Sequence, residues 1–324
     1  MALTVPVLSK VPNLLKELVK AVPNVNFHYV DDPEKDSSFK KSEIIIADFD
    51  LLCNYLYELP NTKWVQGTWA GIDKLIPQIE SSKPIPFQMT RFTGEHFGKL
   101  MGEYVVANIV NHERNFFELK NHQQKQQWHR EGKVTDYRAI SDLTVGVLGL
   151  GHIGNRVGKL LHFLGAEVLA FGRRLTLPTE GDYCHISKYY TKETLPLMLT
   201  ECDYIVSVLP QTHETNGLLE KDILKNCADK QSVLINIGRS NIISEDSLIR
   251  AINNKWLSAV ILDVFDVEPL PESSALWKMD RVFITPHVSG MTRAKDVAEQ
   301  FCSNLNLYKK NLPLPAVIDF TKGY

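Results

Sequence analysis

No run of this 324-residue chain approaches the ~20 consecutive apolar residues that a helix needs to cross a bilayer, so a membrane span is not expected. The five cysteines, Cys53, Cys184, Cys202, Cys227 and Cys302, are scattered, odd in number and never in a C-x-x-C pair. That pattern supports neither a disulfide framework nor a zinc site, and no metal ligands are read from the sequence. Strong charge of one sign is missing as well. Lys+Arg number 36 against 38 Asp+Glu, a net charge of −2, with no general pull toward nucleic acid or an anionic membrane. Repeats and low-complexity tracts are absent. The opening "MALTVPVLSKVPNLLKELVK" lacks the basic segment and apolar core of a secretory signal, and "DFTKGY" at the other end matches no lipidation or retention signal. A cytoplasmic protein with reduced thiols is the expectation.

What is present is ordinary globular material, 44% hydrophobic and 23% charged, in a chain long enough for about two domains. Residues 3–7 ("LTVPV"), 25–30 ("VNFHYV"), 43–47 ("EIIIA") and 63–66 ("KWVQ") are short β-rich runs. Between the first two, "NLLKELVKAV" has helical spacing, so a parallel sheet with helices on its faces is predicted. Residues 98–117 read as one long amphipathic helix, and 118–142 as a polar extended arm. Six further β-rich segments follow: "LTVGVLGLG", "EVLAFG", "DYIVSVLP", "SVLINIG", "LSAVILDVF" and "RVFITPH". They predict a doubly wound dinucleotide fold, with a last helix from Ala294. A ligand is expected in the crevice between the two α/β halves, at the carboxyl ends of the strands.

"TVGVLGLGHIGNRVGKLL" places Gly149, Gly151 and Gly154 in G-x-G-x-x-G spacing, after a strand at Val145–Leu148 and before a helix at Asn155–Leu161. Such spacing alone is a weak signal; the strand–turn–helix context strengthens it. Gly149 would allow the tight turn, Gly151 the approach of a pyrophosphate, and Gly154 close helix–strand packing, with His152 and Ile153 completing the turn. After the next strand, "VLAFGRR", an acidic residue would select NAD through the ribose hydroxyls. Arg173 and Arg174 stand there instead, suited to a 2′-phosphate. NADP(H) is therefore the expected cofactor, with NAD(H) weaker; a solvated basic pair at a strand end is the alternative.

Three apolar strands end in groups that carry chemistry: "LINIGRS" with Arg239, "ILDVFDVEPLP" with Asp263 and Glu268, and "VFITPHVSG" with His287. These types suit hydride transfer to a 2-keto acid. Arg239 can grip the substrate carboxylate and polarise the carbonyl, and His287 can act as general acid. Glu268, in contact with His287, would favour the imidazolium. Singly, each could be a surface charge, a loop residue or a capped turn; their joint occurrence in this order is the signal.

These residues, with "LPQTHETNGLL", "LW" and "KWVQGTWAGID", resemble the D-2-hydroxyacid dehydrogenase family over almost the whole chain. The basic pair, "ALWKMDRVFITPH" and "DFTKGY" are most similar to its glyoxylate/hydroxypyruvate reductase A-like branch. The resemblance implies an Arg239–Glu268–His287 triad and substrate-carboxylate binding by N–H groups near Ala70 and Gly71. It implies that Leu209, Pro210 and Thr215 line the cofactor, with Ile237 and Asp263 near the nicotinamide ribose and carboxamide and Met101 flanking the ring. It also implies a flavodoxin-like substrate-binding domain from 1–97 and 293–324, a Rossmann NADP-binding domain at 98–292, and a homodimer formed through about 98–130. Trp69 stands where many relatives have something smaller: it narrows the pocket toward small keto acids or simply packs in the core. An NAD(P)H-sensing binding protein of the corepressor type is the competing function.

Overall fold

The computed structural model describes residues 3–80, 82–177, 179 and 181–320. The first two residues of the opening segment and the last four of "DFTKGY" lie outside them. The chain divides into two units, 1–97 with 291–324, and 98–290. Both hold parallel sheets between helices, the expected α/β class.

In the first unit, strands β1 (Thr4–Leu8), β2 (Asn26–Tyr29), β3 (Ile44–Ala47), β4 (Trp64–Gly67) and β5 (Gln88–Thr90) stand in the order β2-β1-β3-β4-β5. That is the flavodoxin-like order. Helices α1 (Leu14–Ala21) and α2 (Phe49–Leu52) connect them. β3 is buried at all four positions, as a parallel strand covered on both faces must be, so it reads as an unbroken apolar run rather than an alternating one. Asp48, 1% exposed, closes the turn after β3 by accepting from Ser9 Oγ (2.6 Å), Lys10 N (2.7 Å) and Thr68 Oγ1 (2.5 Å).

Helix α3 (Glu95–Arg114) leads into the second unit, followed by α4 (Phe116–Gln124). The predicted single helix over 98–117 and the polar extended arm are thus corrected. Asn115 breaks the helix at φ 53, the left-handed conformation that asparagine tolerates better than most residues, and a second helix follows. The sheet comprises β6 (Thr144–Leu148), β7 (Glu167–Phe171), β8 (Lys188–Tyr190), β9 (Tyr204–Ser207), β10 (Ser232–Asn236), β11 (Leu257–Leu262) and β12 (Val282–Ile284). Their order is β12-β11-β10-β9-β6-β7-β8, doubly wound, with its reversal between β6 and β9. Seven strands replace the six predicted. β8 escapes the sequence because its three residues, Lys-Tyr-Tyr, form no apolar run, unlike the equally short edge strand β12, Val-Phe-Ile. Helices α5 (His152–Phe163), α6 (Leu195–Glu201) and α7 (Glu245–Asn253) cover this sheet. Helix α5 starts three residues before the predicted Asn155 and runs past Leu161, because glycines and a histidine hide its first turn from hydrophobic periodicity.

The last helix, α8 (Ala294–Lys309), packs back on the first unit. Phe301 stacks on Trp64 with centroids 5.4 Å apart and planes 9° apart, and Tyr308 stacks on the same indole at 5.3 Å. Trp64 Nε1 donates to Thr90 Oγ1 at 2.9 Å, so this buried aromatic leaves no polar atom unmatched.

Candidate active site

The glycine turn joins β6 to α5 at the reversal point of the second sheet. Gly149 has φ 104, a conformation that would strain any residue with a Cβ. A Cβ on Gly154 would stand 1.8 Å from the Gly149 carbonyl oxygen, so this position admits only hydrogen. A Cβ on Gly151 would meet nothing within 4 Å, which leaves open space beside the helix start. His152 and Ile153 form the first turn of α5, where N–H groups lack intrahelical acceptors and the helix dipole is positive. Open space beside such donors fits a pyrophosphate.

At the end of β7, Arg173 and Arg174 are both exposed, and residues 171–174 contain no carboxylate. Arg173 Nη1 lies 3.8 Å from Glu214 Oε2, a loose ion pair. The Arg174 carbonyl accepts from Tyr189 Oη at 3.1 Å, and a Cβ on Gly172 would come 2.3 Å from that hydroxyl. Gly172 thus keeps the strand end narrow enough for Tyr189 to reach the arginine backbone. Glu214 and Tyr189 were not found from the sequence, because each comes from a different βα unit.

Leu209, Pro210 and Thr215 follow β9. Thr215 Oγ1 donates to the Pro210 carbonyl at 2.7 Å and so ties the loop into a turn. Leu209 is buried against the glycine turn: its Cδ2 would stand 3.1 Å from a Cβ on Gly149. Ile237, 4% exposed, donates its N–H to Ser207 O at 3.0 Å. Gly238, another residue the sequence reading missed, lets the end of β10 pass Leu209, whose carbonyl would be 2.5 Å from its Cβ. Met101 is buried within α3.

The chemistry-bearing groups leave one edge of the sheet. Leu262 of β11 is in register with Asn236 of β10 and Ile284 of β12, so these parallel strands end side by side. Arg239 lies three residues past β10, Asp263 one past β11 and His287 three past β12. His287 Nδ1 is 2.8 Å from Glu268 Oε2, and Glu268 Oε1 accepts from Phe265 N at 3.0 Å. The structure thus brings these two predicted partners together, with the imidazole exposed. Arg239 Nη1 donates to the Gly238 carbonyl at 2.8 Å, and its own carbonyl accepts from Asn236 Nδ2 at 3.0 Å. Asp263 is fully buried. Its carboxylate accepts from Thr285 Oγ1 (2.5 Å), Val288 N (2.8 Å) and Ser289 N (2.9 Å), a clamp on both sides of His287. Tyr104 Oη lies 2.6 Å from Thr285 Oγ1; burial pushes the tyrosine pKa up to about 12, which keeps it a proton donor.

In the first unit, Trp69 is half-buried against the apolar core and its carbonyl accepts from Phe92 N at 2.9 Å. Ala70 O accepts from Arg91 Nη1 at 3.4 Å, beside Gly71. Arg91, missed by the sequence reading, carries a guanidinium whose pKa burial lowers. No sequence signal marked it, since a lone arginine after a strand is usually a surface charge.

Comparison with known proteins gives one family match: residues 106–289 fit the NAD binding domain of D-isomer specific 2-hydroxyacid dehydrogenases. The chain is 28% identical over 260 residues to glyoxylate/hydroxypyruvate reductase A of Escherichia fergusonii, covering 79% of this chain and 80% of that protein. Among solved structures, a D-isomer specific 2-hydroxyacid dehydrogenase family protein from Aeromonas salmonicida superposes with TM-score 0.83 at 28% identity, covering 99% and 100% of the two chains. The D-isomer specific 2-hydroxyacid dehydrogenase of Xanthobacter autotrophicus, solved with NADPH and MES, does so with TM-score 0.81 at 25% identity over both whole chains.

Proposed function

The chain belongs to the D-isomer specific 2-hydroxyacid dehydrogenase family, and from that premise we propose that it is an NADPH-dependent reductase of small 2-keto acids, of the glyoxylate and hydroxypyruvate type. The observation that carries the reading is the His287–Glu268 pair, 2.8 Å apart, on the sheet edge that also bears Arg239. Likeness to the Escherichia reductase and to the NADPH-bound Xanthobacter structure supports the substrate and cofactor choice.

In this reading Gly149, Gly151, Gly154 and the first turn of α5 hold the pyrophosphate. Arg173 and Arg174 pair with the 2′-phosphate, so NAD(H) binds less well. Bound there, the reduced nicotinamide supplies the hydride. Arg239 grips the substrate carboxylate with its fork of donors and draws charge toward the carbonyl oxygen. His287 has its Nδ1 engaged by Glu268, holds the transferable proton at Nε2 and donates it to the oxygen as negative charge develops. Glu268 fixes the orientation of the imidazole through that contact. Asp263 positions the loop bearing His287 rather than reacting itself. Ala70, Gly71 and Trp69 take their substrate roles from family resemblance alone, as do Met101 and the cofactor-lining loop. The assembly is a homodimer through about 98–130, and the compartment is the cytoplasm.

The test is NADPH absorbance at 340 nm with glyoxylate or hydroxypyruvate added, repeated with NADH. Oxidation faster with NADPH is expected. Tight NADPH binding with no turnover across a panel of 2-keto acids would replace this reading with that of a dinucleotide-sensing protein.

A further inference from the structure

Thr285, the first residue past β12, is the pivot of the loop that presents His287. Its N–H donates to the Leu262 carbonyl at 3.0 Å, which ties it to the end of β11. Its own carbonyl accepts from His287 N at 3.1 Å. Its hydroxyl stands 2.5 Å from Asp263 Oδ1 on one side and 2.6 Å from Tyr104 Oη of α3 on the other. One small side chain therefore joins the long helix to the buried carboxylate, and its backbone joins both to the histidine.

The protons in this chain of groups run in one direction. A hydroxyl has a single proton, and an ionised carboxylate only accepts. Thr285 Oγ1 donates to Asp263, so it accepts from Tyr104 Oη. The tyrosine keeps its proton for this bond, because burial pushes its pKa up to about 12. An accepted hydrogen bond polarises the hydroxyl and strengthens the one it donates. Asp263 in turn accepts from Val288 N and Ser289 N, the two residues after His287. The order of the histidine loop thus depends on a contact that begins on α3.

We propose that Tyr104 is a positioning residue for the reduction: by donating to Thr285 it steadies the Thr285–Asp263 support, and so holds His287 where its proton reaches the substrate oxygen. The proposal rests on the 2-keto acid reductase reading given above. Tyr104 acts through Thr285 and supplies no proton to the substrate itself. The sequence hides the role, since 181 residues separate the two hydroxyls and the periodicity of a helix does not report so distant a partner.

The experiment is steady-state kinetics of the full chain with NADPH and glyoxylate, or the best substrate of a 2-keto acid panel, in H2O and in D2O. Tyr104→Phe should lower kcat about five- to tenfold and Thr285→Val at least about tenfold, as displacement of a reacting group does. KM for the keto acid and the NADPH Kd should stay within about twofold, because Arg239 and the glycine turn are untouched. The solvent isotope effect on kcat should rise in both variants as proton delivery becomes slower, a change that a merely structural defect does not produce. Thr285→Ser keeps the hydroxyl and should retain at least about half of the parent kcat. Adding Tyr104→Phe to Thr285→Val should cost less than about twofold more, since the tyrosine acts through the threonine. Circular dichroism checks that every variant is folded. Parent-like kcat and isotope effect in Tyr104→Phe, or equal loss in Thr285→Ser and Thr285→Val, overturns the proposal while leaving the reductase reading in place. A parent that turns over no 2-keto acid removes both.

Discussion

His287 adopts φ 55, a left-handed conformation that costs a non-glycine residue roughly 1–2 kcal/mol. The cost is offset by its neighbours, because Asp263 takes the N–H groups of Val288 and Ser289 and so holds the loop in this bend. An imidazole presented this way is poised rather than packed. Replacing it in His287→Ala should lower turnover roughly 10²–10⁴-fold while NADPH affinity, read by fluorescence titration, stays within a few-fold; undiminished turnover would remove the general-acid role. The arginine pair makes a separable prediction. Arg173→Ala with Arg174→Ala should raise the NADPH Kd at least about tenfold and leave that of NADH within about twofold, because a guanidinium–phosphate pair is charge-assisted and bidentate. Parallel loss for both cofactors would refute the phosphate contact. The positions of Arg239, Glu268 and His287 beyond the ends of β10, β11 and β12 were legible in the sequence because each follows an apolar strand. The Asp263 clamp was not, since its donors lie more than twenty residues away in the loop after β12.

Between α4 and β6 the chain has only short helical turns, and buried charge holds it down. Glu113, 3% exposed, accepts from Arg138 Nη2 and Tyr204 Oη, both at 2.7 Å, while Arg138 Nη1 reaches Asp203 at 2.8 Å. The polar composition of this segment, which reads as an extended arm, therefore serves a network and not only solvent. His112 sits beside it with Nε2 2.9 Å from Lys133 Nζ. Burial, and then the Lys133 charge, pull its pKa from 6.5 down to about 4. The folded chain resists a proton that the unfolded chain accepts, so the stabilisation is complete above about pH 6.5 and lost as pH falls toward about 4. Urea melts at pH 7.5, 6.0 and 5.0 should show the parent losing stability relative to His112→Gln as pH drops; parallel pH profiles would contradict this.

Each unit has the parallel sheet its βα alternation predicts, but its boundaries depend on where α8 docks. Trp64 receives both Phe301 and Tyr308, contacts that join positions more than 200 residues apart. Phe116, Trp128 and Tyr137 are each exposed along 115–137, and burying such apolar surface would favour the proposed pairing of two chains through this region. Light scattering should return twice the mass of one chain, and Phe116→Asp with Trp128→Lys should halve it. A monomeric parent at micromolar concentration would overturn the homodimer proposal. Among the described residues no helix is long and apolar enough to cross a membrane.

The sequence by itself determined the α/β class, the glycine turn, the missing acid after β7 and the three strand-end groups. Each of these is local: a periodicity, a φ that only glycine adopts easily, or a side-chain type at a fixed offset from a strand. Only the tertiary structure decided that His287 meets Glu268, that Asp263 clamps rather than reaches outward, and that Asn115 splits the long helix. Those depend on separations of a few ångströms between residues distant in the chain, which packing sets and spacing alone does not.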